Sequence, residues 1–146
     1  MSQKLAKPDS EPGFSLAIRV YYEDTDSGGM VYYANYLKFM ERTRTEWLRS
    51  LGFEQDALRE HEGLLFAVRR AEIDYHKPAL FNDLLRVTAV LSGSGGASLN
   101  FEHQVLREAD GTLCCRGRVK VACLNVKTLR PQRIPDNLLA EFADVL

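Results

Sequence analysis

Two carboxylates and two glycines occur close together in residues 21–36, at a position that favours acyl chemistry. Asp24 and Asp26 lie between a predicted strand and a predicted helix, before Gly28 and Gly29. Backbone N–H groups of a first helical turn have no intrahelical partner and carry partial positive charge, so they can hold a carbonyl oxygen that becomes negative during reaction. A carboxylate beside such donors indicates chemistry at an acyl group.

The same loop residues also suit a purely structural turn. Aspartate hydrogen-bonds nearby backbone groups in turns, so Asp26 could be a turn residue. Asp24 could be the active carboxylate, but organising the loop is its simpler role. Gly28 and Gly29 could permit positive φ in a tight turn, and they could also admit a substrate closely.

Other reactive side chains lack an arrangement that indicates a site. Glu41 on the predicted helix is a rival carboxylate, although Arg44 three residues later offers it an ion pair. The histidines match no metal or nucleophile motif, and the cysteines are expected to be reduced strand residues, with a catalytic thiol as the alternative. The residues left without a role are His61, His76, His103, Cys114, Cys115 and Cys123.

The composition is typical of one soluble globular domain. The chain has 146 residues, 45% of them hydrophobic and 27% charged, which is enough for a core. The net charge of −1 gives no electrostatic basis for nucleic-acid binding. No apolar run approaches the ~20 residues that span a bilayer, and the N-terminal segment is polar rather than signal-like. We therefore expect a cytoplasmic protein without membrane insertion.

Hydrophobic periodicity divides the chain into a tail and one domain. Residues 1–13 are polar and aperiodic and predict a flexible tail, so the single domain is expected over residues 14–146. Strict alternation over residues 14–23 predicts a strand that leads into the acidic loop. An apolar stripe over residues 34–51, followed by Gly52, predicts a long helix. The stripe consists of Tyr36, Leu37, Met40, Trp47, Leu48 and Leu51.

The rest of the chain reads as four strands and a short terminal helix. The strands are expected at residues 65–75, 84–91, 99–105 and 113–126, with turns at 92–96 and 110–111, after a helical turn at 55–61. Asp136 is expected to cap a helix that continues through Val145. This order predicts an α+β fold in which a five-stranded antiparallel sheet wraps around one long central helix. One helix cannot cover the sheet, so we expect oligomerisation.

Taken together, these motifs resemble the hotdog-fold thioesterases, in the 4-hydroxybenzoyl-CoA thioesterase group and its Tol-Pal-associated acyl-CoA thioesterase branch. The similarity extends over nearly the whole domain, and the combined pattern is specific. It rests on Tyr22-Glu23-Asp24-Thr25-Asp26-Ser27-Gly28-Gly29-Met30-Val31-Tyr32, on Asn35-Tyr36, Phe39, Glu41 and Arg44, on Ile73-Asp74-Tyr75 with Lys77-Pro78-Ala79, and on Lys127-Thr128, Arg130-Pro131 and Arg133-Ile134-Pro135.

The resemblance implies hydrolysis of an acyl-CoA thioester to a free acid and coenzyme A. It assigns Asp26 as the essential carboxylate, acting either as nucleophile or as general base toward water. The N–H of Tyr33 is expected to polarise the thioester carbonyl, with Tyr32, Gly28 and Gly29 in substrate binding. The family forms homodimers that often assemble into homotetramers. It needs no cofactor, since coenzyme A is part of the substrate.

This chain departs from many members of the branch in having Tyr33 where they have histidine. A backbone donor does not depend on the side chain, so activity should survive while acyl preference could shift. The resemblance favours short aliphatic acyl groups and a link to phospholipid metabolism or the cell envelope. Two alternatives stay open: an acyl-ACP thioesterase, and a non-catalytic protein that binds or senses acyl thioesters.

The phosphates of coenzyme A need a basic surface, and the segment after the last strand offers one. Lys127, Arg130 and Arg133 are our candidates, because phosphates favour arginine forks and lysine charges. The alternative is that these residues form only a solvated basic loop. Four other arginines compete for the same function, namely Arg69, Arg70, Arg116 and Arg118.

Overall fold

A computed structural model describes residues 13–143, and in this part of the chain one antiparallel sheet packs against a long helix. The predicted α+β class, with five strands and one central helix, is confirmed. Apart from Gly13, the predicted N-terminal tail lies outside the described residues. The elements are β1 (Phe14–Arg19), α1 (Asn35–Ser50), α2 (Gln55–Glu62), β2 (Leu64–Tyr75), β3 (Leu84–Ser94), β4 (Ser98–Arg107), β5 (Leu113–Asn125) and α3 (Asp136–Ala143).

The sheet has the strand order β1-β3-β4-β5-β2, so β2 is an edge strand. Its inner side pairs with β5, where Leu64 lies opposite Asn125 and Tyr75 lies opposite Cys115. The outer backbone groups of β2 have no strand partner among the described residues. A 12-residue edge of this kind is a template for pairing with another chain.

The long helix buries a stripe that differs from the predicted one at its beginning. Leu37 was expected in the stripe but is 40% exposed, whereas Phe39 is completely buried. Phe39 lies on the flank of the helix that packs with Ile18 of β1 and Val87 of β3. Leu37 is on the opposite flank, outside this contact. The buried residues of α1 are Tyr36, Phe39, Met40, Thr43, Trp47 and Leu48.

The last strand alternates as predicted, and one of its glycines lets the helix approach the sheet. A Cβ added to Gly117 would lie 2.7 Å from Sδ of Met40 and 3.0 Å from Cδ1 of Ile73. The helix therefore packs directly over the backbone of β5 at this point. On the opposite face of the strand, Arg116, Arg118 and Lys120 are exposed.

A neutral histidine joins the helix to the sheet inside the core. His103 of β4 is completely buried, and its Nδ1 lies 2.8 Å from the carbonyl oxygen of Thr88. Its Nε2 lies 3.1 Å from Nη1 of Arg44 on α1. Because a carbonyl only accepts and a guanidinium only donates, Nδ1 carries the proton and Nε2 accepts. Burial lowers the pKa of His103 to about 4, which keeps the ring neutral.

Several predicted element boundaries were wrong. β3 continues through Ser94, into the turn predicted at residues 92–96. β1 ends at Arg19 rather than at residue 23, because the chain turns at Val20 to hydrogen-bond with Asn82 and Asp83 and then forms a short 3₁₀ turn. Tyr22 is consequently 78% exposed instead of facing the core.

At the other end of the chain, Asp136 is the first residue of α3 and not its cap. The carbonyl of Pro135 accepts the N–H groups of Leu138 and Leu139, in the first turn of that helix. The last two residues of the predicted terminal helix lie outside the described part of the chain. No helix within residues 13–143 is long and apolar enough to cross a membrane.

Candidate active site

Asp26 lies in a tight turn between β1 and α1. Its N–H donates to the carbonyl of Met30 at 2.8 Å, and its carbonyl accepts the N–H of Gly29 at 3.1 Å. Its Oδ1 accepts the N–H of Gly28 at 2.8 Å, so part of the carboxylate closes the turn. Gly29 has φ of +79°, a conformation that favours glycine over other residues. The φ of Gly28 is not positive, so its backbone conformation does not require glycine. The Asp26 side chain is exposed.

Asp24 organises the loop, which is the simpler of the two roles that the sequence allows for it. The residue is 9% exposed, and its Oδ2 accepts the N–H of Tyr21 at 2.9 Å. Its carbonyl accepts the N–H of Tyr32 and the Nδ2 of Asn35, both at 2.9 Å. These bonds fasten the loop to the first residue of α1. Asp24 therefore fixes the position of the start of α1 relative to the Asp26 turn.

The start of α1 leaves backbone donors available beside this turn. Ala34 precedes the helix in a helical conformation and provides no side-chain cap. Within residues 13–143, the N–H groups of Tyr33 and Ala34 have no hydrogen-bond acceptor. Such groups bear the positive end of the helix dipole. They are suited to binding the oxygen of a polarised carbonyl group.

A second segment holds the turn from the other side. The N–H of Val31 donates to the carbonyl of Ala79 at 2.9 Å, and the N–H of Phe81 donates to the carbonyl of Gly29 at 3.1 Å. The chain that leaves β2 thus runs along the Asp26 turn. This arrangement brings the end of β2 into contact with the beginning of α1.

An aromatic cleft opens where these segments meet. Its volume is about 300 Å³. The Tyr75 ring packs edge-on against Tyr33 and Tyr36, with centroid distances of 6.4 and 5.6 Å. The cleft can therefore enclose a small apolar group beside the free N–H donors. It is lined by Met30, Val31, Tyr33, Tyr36, Tyr75, His76, Lys77 and Pro78.

Tyr36 and Tyr75, to which the sequence assigned no functional role, are further candidates at this cleft. The hydroxyl of Tyr75 donates to the carbonyl of Tyr33 at 2.9 Å, and the N–H of Ala79 donates to the hydroxyl of Tyr36 at 3.1 Å. Burial raises the pKa of both tyrosines, so both hydroxyls stay protonated. The sequence feature that could have indicated a role for Tyr75 is its position at the end of a predicted strand, just before Lys77-Pro78.

The predicted basic residues lie far from Asp26 within one chain. Lys127, Arg130 and Arg133 follow β5 beside the Leu64 end of β2, where the N–H of Val126 donates to the carbonyl of Gly63. The Asp26 turn lies beside the Tyr75 end of that strand. The 12 residues of β2 span roughly 36 Å at about 3.3 Å per residue. A single chain therefore does not bring the two sets together.

The rival reactive groups are occupied or buried. Glu41 is exposed and accepts a hydrogen bond from the Thr45 hydroxyl at 2.7 Å, while Arg44 contacts His103 instead of forming the predicted ion pair. The three cysteines are free and buried. Burial raises the pKa of Cys115 to about 12, which disfavours its thiolate. Within the described residues, no group of three or more His, Cys, Asp or Glu side chains is arranged to hold a metal ion.

Comparison of sequences identifies relatives along most of the chain. Residues 20–142 match the family model described as the thioesterase-like superfamily. The chain is 44% identical over 130 residues to the acyl-CoA thioesterase YbgC of Haemophilus influenzae, which covers 89% of this chain and 94% of that protein.

Solved structures show the same fold. A probable thioesterase from Bartonella henselae superposes with a TM-score of 0.79 at 36% identity, covering 84% of this chain and 99% of that one. A 1,4-dihydroxy-2-naphthoyl-CoA thioesterase from Synechocystis superposes with a TM-score of 0.84 at 20% identity, covering 90% of this chain and 96% of that one. The second likeness shows only the fold, which is the hotdog fold that the family resemblance implies.

Proposed function

The chain belongs to the thioesterase-like superfamily, and from this membership we propose that it hydrolyses short-chain acyl-CoA thioesters with Asp26 as the reacting carboxylate. The chain is an acyl-CoA thioester hydrolase, the activity for which its Haemophilus influenzae relative is named. The proposal for Asp26 and the short acyl group rests on one observation. The Asp26 turn, the start of α1 without a side-chain cap, and the aromatic cleft lie next to one another.

The proposed oxyanion donor is the N–H of Tyr33. A thioester carbonyl oxygen placed before α1 would meet this N–H group, which has no acceptor within the described residues. The donor strengthens as negative charge develops on the oxygen, so it stabilises the transition state more than the bound substrate. Because the donor belongs to the backbone, tyrosine can replace the histidine common in the branch.

Asp26 brings about attack on the carbonyl carbon by one of two routes. As a nucleophile, its carboxylate would form a mixed anhydride and expel the thiolate of coenzyme A, and water would then cleave the anhydride. As a general base, it would remove a proton from water, whose oxygen attacks the carbonyl carbon before the thiolate leaves. Both routes consume one water molecule and release a carboxylic acid and a thiol.

The aromatic cleft is the proposed site of the acyl group. Tyr33 and Tyr75 line it beside the proposed oxyanion donor. A cleft of about 300 Å³ suits a small acyl group better than a long chain. Gly28, Gly29 and Tyr32 are the proposed contacts with the thioester portion, since they lie between Asp26 and the helix.

The complete site is proposed to need a second copy of the chain. Within the described residues, one edge of β2 has no strand partner, and on this strand Val68 is 52% and Tyr75 is 50% exposed. If two copies of β2 pair antiparallel, the Leu64 end of one lies beside the Tyr75 end of the other. Lys127, Arg130 and Arg133 of one copy would then approach the other copy's Asp26 turn and bind the phosphates of coenzyme A. Two such dimers would form the proposed homotetramer.

An acyl-ACP substrate is the second candidate within the same chemistry, because it presents its thioester on the same phosphopantetheine arm. Acyl thioesters of both kinds occur in the cytoplasm, and we propose this location for the enzyme. A non-catalytic acyl-thioester-binding protein is the alternative from another class. The Asp26 side chain is exposed, and only its Oδ1 takes part in the turn's hydrogen bond, which favours catalysis over simple binding.

A thiol-release assay tests the proposed function. The purified protein is given acyl-CoAs from acetyl to palmitoyl, together with benzoyl-CoA and the matching acyl-ACPs, and free thiol is measured. Fastest release from short aliphatic acyl-CoAs is expected. Tight binding without thiol release would favour the binding protein, and fastest release from palmitoyl-CoA or benzoyl-CoA would contradict the proposed acyl preference.

A further inference from the structure

Two tyrosine hydroxyls connect the end of β2 to the start of α1 in opposite directions. Tyr75 on the strand donates to the carbonyl of Tyr33 before the helix, at 2.9 Å. Tyr36 on the helix accepts the N–H of Ala79 after the strand, at 3.1 Å. The carbonyl of Ala79 in turn accepts the N–H of Val31 at 2.9 Å. Strand, turn and helix are thus linked at one point.

The carbonyl of Tyr33 lies outside the hydrogen-bond ladder of the helix. The N–H of Leu37 bonds to Ala34 instead, at 3.2 Å, so Tyr75 supplies the donor that the Tyr33 carbonyl would otherwise lack. On the preceding peptide, the Tyr32 carbonyl accepts the N–H of Asn35 at 2.8 Å. The two bonds fix the peptide groups on both sides of the Tyr33 Cα. The Asn35 bond orients the peptide that carries the Tyr33 N–H, and the Tyr75 bond fixes the next peptide, so together they hold the Tyr33 backbone from both sides.

We propose that Tyr75 is a positioning residue for thioester hydrolysis, holding the Tyr33 backbone so that its N–H meets the carbonyl oxygen of the substrate. This inference rests on the proposed function of that N–H. Ring packing of Tyr75 against Tyr33 and Tyr36 limits the movement of its hydroxyl. Tyr75 acts through the backbone, since its hydroxyl proton is committed to the Tyr33 carbonyl.

The effect of losing this hydroxyl should appear in turnover more than in substrate binding. The oxyanion donor contributes most when charge has developed, and a small displacement weakens that contribution. One neutral hydrogen bond corresponds to a change of about 3- to 10-fold in rate. The ring itself lines the cleft and contributes to binding, so the hydroxyl must be removed without the ring.

The variant Tyr75→Phe tests the proposal, and Tyr22→Phe is its matched control. Tyr22 is exposed and stacks on Phe81 with a centroid distance of 4.9 Å, a contact that phenylalanine preserves. We expect Tyr75→Phe to lower kcat about 3- to 10-fold with KM and melting temperature nearly unchanged, and the control to match the wild type. An unchanged kcat would overturn the proposal. A raised KM at unchanged kcat would also overturn it, because the hydroxyl would then bind substrate directly.

Carbon-13 NMR of the Tyr33 carbonyl provides a second readout, in the full chain without substrate. Losing a donor to this carbonyl changes its chemical shift, so Tyr75→Phe should move the Tyr33 signal and Tyr22→Phe should not. An unmoved signal would overturn the role of Tyr75 alone. Failure of the wild type to release thiol from any acyl thioester would instead count against the proposed function, so the two failures are distinguishable.

Discussion

Oδ1 of Asp26 accepts the backbone N–H of Gly28 at 2.8 Å, so the carboxylate proposed to react also closes its own turn. This bond orients the side chain and leaves the second carboxylate oxygen without a hydrogen-bond partner among residues 13–143. The structural and chemical interpretations of Asp26 are therefore compatible. One oxygen can serve the turn while the other faces the substrate.

Asp26→Asn should abolish most turnover without unfolding the protein. The amide oxygen of asparagine can still accept the N–H of Gly28, but the side chain can neither attack a carbonyl nor take a proton from water. We expect kcat to fall by about a thousandfold or more, measured by thiol release. An unchanged circular dichroism spectrum and melting temperature would show that the turn persists.

Glu41→Gln is the matched control, since it removes the rival carboxylate of α1 in the same way. Its side chain is exposed and accepts a hydrogen bond from Thr45, which glutamine can also accept. Wild-type kcat is expected. If Glu41→Gln lost activity while Asp26→Asn kept it, the assignment of the reacting carboxylate would be reversed.

Tyr33→Pro should lower kcat about 100- to 1000-fold, the typical loss when one oxyanion donor is removed. Proline lacks the N–H group but breaks no internal hydrogen bond within residues 13–143, because that N–H has no acceptor there. Tyr33→Phe keeps the donor and should retain most of the turnover. Equal losses in the two variants would show that the side chain, rather than the backbone, performs the role. The helical circular dichroism signal checks that α1 still forms.

The fold was largely predictable because its strands and long helix have clear hydrophobic periods. Alternation in β5 correctly predicted that Val119 faces the core and Arg118 faces solvent. Errors occurred where periodicity carries no information about neighbours. Tyr22 continues the alternation of β1, yet the backbone bonds of Val20 to the segment after β2 end the strand first.

The candidate site was predictable only in its local part. Asp26 and Gly29 belong to one continuous turn, so their spacing indicates their geometry. Tyr75 meets Tyr33 across 42 positions in the sequence, a contact that no local pattern contains. The basic residues after β5 have the right chemistry, but their distance from Asp26 depends on strand order, which composition does not determine.

Gly117→Ala should destabilise the fold by about 1–3 kcal/mol, because an added methyl group overpacks the contact between Met40 and β5. The atoms that would be displaced are the ends of flexible side chains, which favours the lower part of that range. Gly96→Ala is the control, since its added Cβ has no neighbour within 4 Å and its φ is not positive. Urea unfolding measures both. Equal stability of the two variants would contradict the close approach of helix and sheet.

Val68→Asp should disrupt the proposed pairing of two copies at β2. Val68 is 52% exposed on an edge strand, so the charge is tolerated in a single chain but is costly when buried between two. Light scattering after size-exclusion chromatography should show a shift toward monomer, with loss of thiol release if coenzyme A binds across the pair. Val87→Asp, in the core on the interior strand β3, is a comparison that should impair folding instead, because Val87 is completely buried. An unchanged oligomer would place the interface elsewhere.

Protonation of His103 should make the protein less stable as the pH falls from about 6.5 to about 4. In the folded protein burial lowers the pKa of His103 to about 4, while in the unfolded chain the pKa returns to 6.5. Between these values the unfolded chain binds the extra proton, so stability is complete above pH 6.5 and declines below it, by roughly 3 kcal/mol at most. The charge of Arg44 at 3.1 Å further disfavours a second positive charge.

His103→Gln isolates this contribution, because glutamine can donate to the Thr88 carbonyl and accept from Arg44 without titrating. The variant should lose the wild-type slope of unfolding free energy between pH 4 and pH 6.5, measured by urea denaturation. His61→Gln, on the exposed face of α2, should keep that slope. If His103→Gln and the wild type changed in parallel with pH, the buried ring would not be the neutral bridge between helix and sheet that its two contacts indicate.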